Sequence, residues 1–130
     1  DFGCGPGPTL SIMLEERGHK VDIYDPFFFP NDHWKEQHYD FITATEVVEH
    51  LFHPGVVLVD LYQRLQIGGV LGIMTKRVRD VHAFSKWHYK DDITHVCFFH
   101  LNSFYWLRDH LGAELHVIGN DVVLLRRLAE

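Results

Sequence analysis

The run Asp1-Phe2-Gly3-Cys4-Gly5-Pro6-Gly7 does most to narrow what this chain can fold into. It reads as a turn at the carboxyl end of a strand, passing into a helix that starts near Thr9. Gly3 and Gly5 permit backbone conformations and close approach that a side chain would forbid. A helix starting there turns its free N–H groups and positive dipole end back towards the turn, which suits an anionic or polar ligand. A plain Gly/Pro-rich surface loop has the same composition, so the rest of the chain must decide between the two readings.

Leu10, Met13 and Leu14 share one helical face, and Gly18 stops that helix. Val21 to Tyr24 reads as a short strand ending at Asp25-Pro26. Asp25 lies twenty residues after Gly5. In nucleotide-binding folds an acid at the tip of the second strand, about that far on, hydrogen-bonds the ribose hydroxyls; a turn-forming Asp before proline is the alternative. Residues 26–38 carry Phe27, Phe28, Phe29 and Trp34 between Pro26 and His38, too short a stretch for a helix and a strand together. The segment is expected to be irregular, with its aromatics either over an adenine or in the core.

Tyr39 to Thr45 (YDFITAT) and Val70 to Thr75 (VLGIMT) are apolar strands suited to a buried parallel sheet. Between them, Pro54 suits the first turn of a helix whose buried face is Val57, Leu61 and Leu65, with Gly68-Gly69 at its end. Glu46, Glu49 and His50 follow the first of these strands at spacings that share one face of a helical turn. Two carboxylates and an imidazole at a strand's carboxyl end suit a divalent cation such as Mg²⁺ or Mn²⁺; a solvated acidic turn with a capping histidine is the bland reading. Lys76 to His100 reads as a loop that can overhang the ligand face, with Trp87 and Tyr89 lining a pocket or packing a small satellite core. His95 is a candidate fourth metal ligand or general base. Asn102 is expected to cap a helix from Ser103 to Leu111, ended by Gly112. Leu115 to Ile118 and Val122 to Leu125 flank Gly119-Asn120-Asp121, a hairpin signal. Helices and parallel strands followed by an antiparallel hairpin make an α/β fold.

The length of 130 residues suits one domain, residues 1–130, and 46% hydrophobic residues suffice for a core. A formal net charge of −6 disfavours nucleic acid as partner. Two cysteines, Cys4 and Cys97, are too few for a disulfide framework, which points to a reducing, cytoplasmic setting. No stretch approaches the roughly twenty apolar residues of a membrane span.

The order Asp-x-Gly-x-Gly-x-Gly resembles motif I of the class I S-adenosylmethionine (SAM)-dependent methyltransferases. The resemblance extends through the acid of VDIYDP, YDFITATEVVEHL, LQIGGVLGIMT and the closing hairpin. Within the class the chain is similar to small bacterial domains near the ubiquinone-biosynthesis O-methyltransferases. The resemblance implies a Rossmann-like, mostly parallel sheet with a C-terminal antiparallel hairpin. It implies that the strand before Asp1, and any lid, lie outside this sequence. It places Asp1, Gly3, Gly5 and Asp25 on SAM, with Cys4 and Pro26 beside them, and Thr45 and Glu46 next to the methionine or methyl group. The small-RNA 3′-terminal 2′-O-methyltransferases share a Glu-x-x-Glu-His motif and a downstream His followed closely by an aromatic, which together hold a metal. Glu46, Glu49, His50 and His95, with Phe98 beyond, match that pattern. Methyl transfer to an oxygen of a small, flat or aromatic acceptor is then expected, with His50 or His95 as the base if no metal binds. A homodimer is an open expectation, because an incomplete sheet leaves an edge to fill. Two alternatives stand beside this reading. One is a degenerate SAM-binding domain without turnover. The other is an NAD or nucleotide-sugar enzyme, disfavoured by Pro8 where a third glycine would stand and by the hairpin.

Overall fold

A computed structural model describes residues 1–129. Its elements in chain order are α1 (Thr9–Glu15), β1 (Tyr39–Thr45), α2 (Pro54–Gln63), β2 (Leu65–Met74), α3 (Val81–Ser85), α4 (Leu101–Leu111), β3 (Glu114–Ile118) and β4 (Val122–Arg126). The sheet runs β1-β2-β4-β3. β1 and β2 are parallel, and the β3–β4 hairpin docks antiparallel on β2. The antiparallel closing hairpin therefore stands where the sequence places it.

The sheet continues past β1 through a fragment of ladder. The Phe2 amide donates to the Thr43 carbonyl at 2.8 Å, and Phe2 bridges Tyr24 in parallel. Val21 to Tyr24 is thus not a regular strand, contrary to the sequence reading. Its pairing is a single bridge, Phe2 to Tyr24, rather than a ladder. The glycine-rich turn, Asp25, Glu46 and Thr75 nevertheless all leave the sheet at one edge. They follow the carboxyl ends of Phe2, Tyr24, β1 and β2 in turn, where open α/β sheets gather their ligands.

The core lies between sheet and helices. Leu71 and Ile73 from β2, Val123 and Leu125 from β4, Leu58 and Leu61 from α2 and Phe104 and Leu107 from α4 are all buried. Strand alternation explains the set, since every second residue is buried from Gly69 onward in β2 and along β4. The expected face of α2 is partly corrected: Leu58, Leu61 and Tyr62 are buried, while Val57 is half-buried. Leu65 belongs to β2, which starts before Gly68-Gly69 rather than after it. The early start rests on pairing. Tyr39 faces Leu65 and Phe41 faces Val70, so the residues between bulge out of β2. Arg127 holds that bulge, bonding Gly68 and Gly69 through its backbone and Gln63 and Leu65 through its guanidinium.

Three further expectations change. Met13 is exposed, and the one buried residue of α1 is Ser11. Residues 76–100 hold the short α3 and a 3₁₀ turn at His88–Asp91 rather than loop alone. The N-cap of α4 is His100, two residues before Asn102. The His100 ring accepts from the Asn102 amide and the Ser103 hydroxyl accepts from the His100 amide, a reciprocal box that satisfies free donors of the first turn. Gly112 ends α4 at φ 62°, as its position predicts.

Candidate active site

The glycine-rich turn is shaped by two different demands. Gly3 (φ 75°) packs so closely on Val47 that a Cβ there would lie 2.3 Å from Val47 Cγ2. Gly5 (φ 68°) shares the left-handed backbone, but nothing lies within 4 Å of where its Cβ would be. Gly3 is therefore needed to seat the turn on the residues after β1. Gly5 leaves open space above the backbone. Asp1 Oδ1 accepts from the Thr43 hydroxyl at 2.8 Å, which fixes the carboxylate at the sheet's edge. Burial, with the nearby Asp25 carboxylate, pushes the Cys4 thiol up, so it stays protonated at neutral pH.

Asp25 is 7% exposed. Its Oδ2 accepts from the Gly5 amide at 3.0 Å, and its Oδ1 accepts from the amides of Phe27 and Phe28 at 2.9 and 3.2 Å. The carboxylate thus ties the glycine turn to the aromatic segment. Pro26, Phe27 and Phe28 are exposed around it. Trp34 takes the other course open to the aromatics, packing edge-on against Phe2 and against the core.

The second half of the site follows β1. Glu46 takes a left-handed backbone (φ 53°), the sole non-glycine residue to do so among the described residues. That is uncommon for a glutamate, and such outliers concentrate at functional turns. The chain then makes a 3₁₀ turn over Val48–His50. Glu49 is fully buried. The loop carrying His95 docks on it, because Val96 and Cys97 both donate their amides to the Glu49 carbonyl. Glu49, His50 and His95 can each present a ligand atom within 4.8 Å of the others. Glu46 lies outside this group of three and joins it through Tyr89.

The Tyr89 hydroxyl lies 2.8 Å from Glu46 Oε2 and makes a still closer contact with Glu49 Oε1. Thr75 donates to Glu49 Oε2 at 3.1 Å. Burial, followed by hydrogen bonding with Glu49, raises the Glu46 carboxyl above its usual range. Burial also works to raise Glu49, but hydrogen bonds from Glu46, Tyr89, the backbone and Thr75 outweigh it and hold that carboxyl low. Of this pair, Glu49 is the more readily ionised carboxyl and Glu46 the less. Burial, then its bond to Glu49, raises the Tyr89 phenol, so it remains a donor.

Both histidines are oriented by backbone. His50 Nδ1 lies 2.9 Å from the Thr94 carbonyl, and His95 Nδ1 lies 2.5 Å from the Tyr89 carbonyl. A carbonyl only accepts, so each ring carries its proton on Nδ1 and leaves Nε2 free. His95 is nearly buried, with Asp92 Oδ2 at 3.7 Å from its Nε2. Thr45 is exposed at the end of β1, and Phe98 packs with Phe84, Trp87 and Tyr89 beneath the loop. Sequence reasoning missed the roles of Thr75 and Tyr89 as partners of Glu49. A threonine closing a buried strand is the one signal Thr75 gave; Tyr89 gave none, since a loop folding back carries it there.

A short parallel ladder, a glycine-rich turn, an acid after the next extended segment and a closing antiparallel hairpin define the class I SAM-dependent methyltransferase fold. The chain belongs to the family described as "Methyltransferase domain", whose pattern matches residues 1–117. No curated protein matches the chain. Among solved structures, a SAM-dependent methyltransferase from Archaeoglobus fulgidus superposes with TM-score 0.72 at 14% identity, covering 98% of this chain and 84% of that one. The mitomycin 7-O-methyltransferase MmcR gives 0.68 at 13% identity, covering 99% and 48%. An O-methyltransferase family protein from Burkholderia thailandensis gives 0.62 at 14% identity, covering 94% and 40%. This chain thus spans less than half the length of two of these three. At such identities the likeness carries the fold. No helix among the described residues is long and apolar enough to cross a membrane.

Proposed function

We propose that this domain transfers the methyl group of SAM to an oxygen of a small acceptor, and that Glu49, His50 and His95 hold a divalent cation beside it. The observation that carries the reading is one of placement. The open glycine turn with Asp25 and the Glu49–His50–His95 group leave the same edge of the sheet.

Asp1, Gly3, Cys4, Gly5, Asp25 and Pro26 form the donor side. Asp25 already orders the Gly5 amide, and its remaining acceptor capacity faces the ribose hydroxyls. Asp1 takes the methionine amino group. Phe27 and Phe28 are at hand to cover an adenine. Thr45 and Glu46 stand at the methyl end. The residues fit a cation because each imidazole is held through Nδ1 by a backbone carbonyl, the arrangement metal-ligating histidines adopt. Glu49 is a buried carboxylate whose partners, Thr75, Tyr89, Glu46 and the backbone, carry no positive charge, which is costly unless a cation is near. Two imidazoles favour Mn²⁺ over Mg²⁺. When bound, the ion lowers the pKa of an acceptor hydroxyl. The acceptor oxygen forms the new C–O bond in line as the C–S bond breaks, and the sulfur leaves with the bonding pair. The protein's part is to hold the two reactants in line and to exclude water. Without a metal, the exposed His50 offers Nε2 as the base for the acceptor's proton.

Calorimetric titration of S-adenosylhomocysteine (SAH) with and without Mn²⁺ tests both halves. Binding of SAH is expected, with Mn²⁺ binding lost in Glu49→Gln. Failure of SAH to bind overturns the methyltransferase reading for this chain. SAH binding with no detectable Mn²⁺ uptake removes the cation and leaves the histidine base.

A further inference from the structure

Trp87, which packs against Tyr89, helps to line a cavity of about 550 Å³, together with Lys76, Arg77, Arg79, Asn102 and Asp121 among others. Its walls come from the chain after β2, the N-terminus of α4 and the turn between β3 and β4. We propose that this cavity binds an anionic group, carboxylate or phosphate, carried on the acceptor's ring, so that the acceptor's hydroxyl lies at the Glu49–His50–His95 group while its anion sits on Arg77. The position given to the hydroxyl rests on the methyl-transfer reading; the anion site does not.

Charge is the first argument. The chain carries a net charge of −6, yet this lining brings together three cations against the single carboxylate of Asp121. Lys76, Arg77 and Arg79 make no ion pair among the described residues, whereas Lys35, Arg64, Lys90, Arg108 and Arg126 do. Three cations facing one carboxylate leave an excess of positive charge in the lining, and an incoming anion relieves it.

The second argument is the Arg77 guanidinium. Its Nε donates to the Asn120 carbonyl at 2.7 Å and its Nη2 to the Gly119 carbonyl at 2.6 Å. The fork is therefore fixed in direction by the hairpin turn. Its Nη1 is buried and has no partner among the described residues. A buried unpaired donor costs free energy, more so on a charged group, and a pre-oriented guanidinium is suited to a carboxylate or phosphate. The third argument is continuity with the site. Trp87 lies tilted by 35° against Tyr89 with ring centroids 4.8 Å apart, and Lys76 Nζ lies 5.7 Å from the centroid of the Tyr89 ring. A flat ring against Trp87 would reach both halves.

The test is a set of titrations into the chain saturated with SAH, with chelator present so that no probe binds through a metal. The pairs are 3,4-dihydroxybenzoate against 3,4-dihydroxybenzamide, and phenyl phosphate against phenol. At least one anionic probe should bind about tenfold more tightly than its neutral partner, and the two pairs show whether carboxylate or phosphate is preferred. Arg77→Gln should abolish the preference. Because Arg77 also ties down the hairpin turn, Lys76→Gln with Arg79→Gln serves as the second variant; both side chains lie at the cavity's exposed wall, and the preference should fall to roughly twofold with neutral binding unchanged. Equal affinity within each pair, no anionic binding at all, or a preference that survives both variants overturns the proposal. SAH binding with no anion preference sinks this inference alone. No SAH binding sinks the methyltransferase reading and leaves the cavity's anion preference to stand or fall by itself.

Discussion

Gly3 and Gly5 separate two roles that a glycine motif usually confounds. Both have positive φ, so a side chain at either strains the backbone by about 1–2 kcal/mol. Only Gly3 adds a steric conflict, with Val47 Cγ2 at 2.3 Å from an added Cβ. Overpacking of that kind costs roughly 1–3 kcal/mol more. Gly3→Ala should therefore destabilise by about 2–5 kcal/mol in urea unfolding, and Val47→Ala in the same chain should return the steric part. Gly5→Ala should cost about 1–2 kcal/mol, yet weaken SAH binding severely, because its methyl group occupies the space left open for the donor. Equal stability losses at the two positions, with SAH affinity unchanged in Gly5→Ala, would remove Gly5 from the donor site. The same scale explains Glu46. Its left-handed backbone re-aims the chain after β1 so that Glu49 turns under the loop of His95 while Glu46 remains in reach of Tyr89.

At the scale of elements, local signals and pairing signals behave differently. α4 is held by local chemistry. The His100 ring accepts from the Asn102 amide, and the His100 amide donates to the Ser103 hydroxyl. His100→Ala should cost about 0.5–2 kcal/mol, and His100→Asn, a stronger capping residue, should restore most of it; no difference between the two variants in thermal unfolding would mean the cap contributes nothing. Histidine is not among the favoured N-caps, and so Asn102 looked the better candidate from sequence. The buried strands and the closing hairpin were legible, because YDFITAT, the apolar part of β2 and the Gly119-Asn120-Asp121 turn carry their own periodicity and breakers. The start of β2 was not, since Leu65 becomes strand only by facing Tyr39 across a bulge that Arg127 pins from the far end of the chain. The candidate site divides along the same line. Asp25, Glu49 and His50 could be singled out by residue type and spacing after extended segments, and His95 by residue type within the loop. Thr75 and Tyr89 could not, because their contacts with Glu49 span 26 and 40 residues: that of Thr75 needs β2 paired beside β1, and that of Tyr89 needs the 76–100 segment folded back.

Across the whole molecule, stability and donor binding sit in different parts of the chain. The buried hydrophobic core begins at Ile42; from residues 1–38 it receives only the half-buried Phe2 and Trp34, and the buried residues of that stretch are the polar Ser11 and Asp25. The stretch is tied to the rest of the chain by the Phe2–Thr43 backbone bond, the Asp1–Thr43 side-chain bond, the Tyr39–Asp22 bond, the His19–Phe41 ring contact, the packing of Gly3 on Val47 and the contacts of Phe2 and Trp34 with the core. Few buried apolar contacts mean a low free energy of local opening. The residues assigned to the donor are concentrated in this weakly held third, and a ligand that binds the closed form stabilises it by about 2.7 kcal/mol at a hundredfold excess over its Kd. Native-state hydrogen exchange should therefore show residues 1–38 opening well before β1, β2 and β4 without ligand. Saturating SAH should slow exchange most at the amides of Gly5, Phe27 and Phe28, which Asp25 already engages. Protection in residues 1–38 equal to that of Leu71 in the free protein would contradict the division. Slowing by SAH that is uniform along the chain would mean that the donor stabilises the molecule through global unfolding alone and does not draw the first third closed.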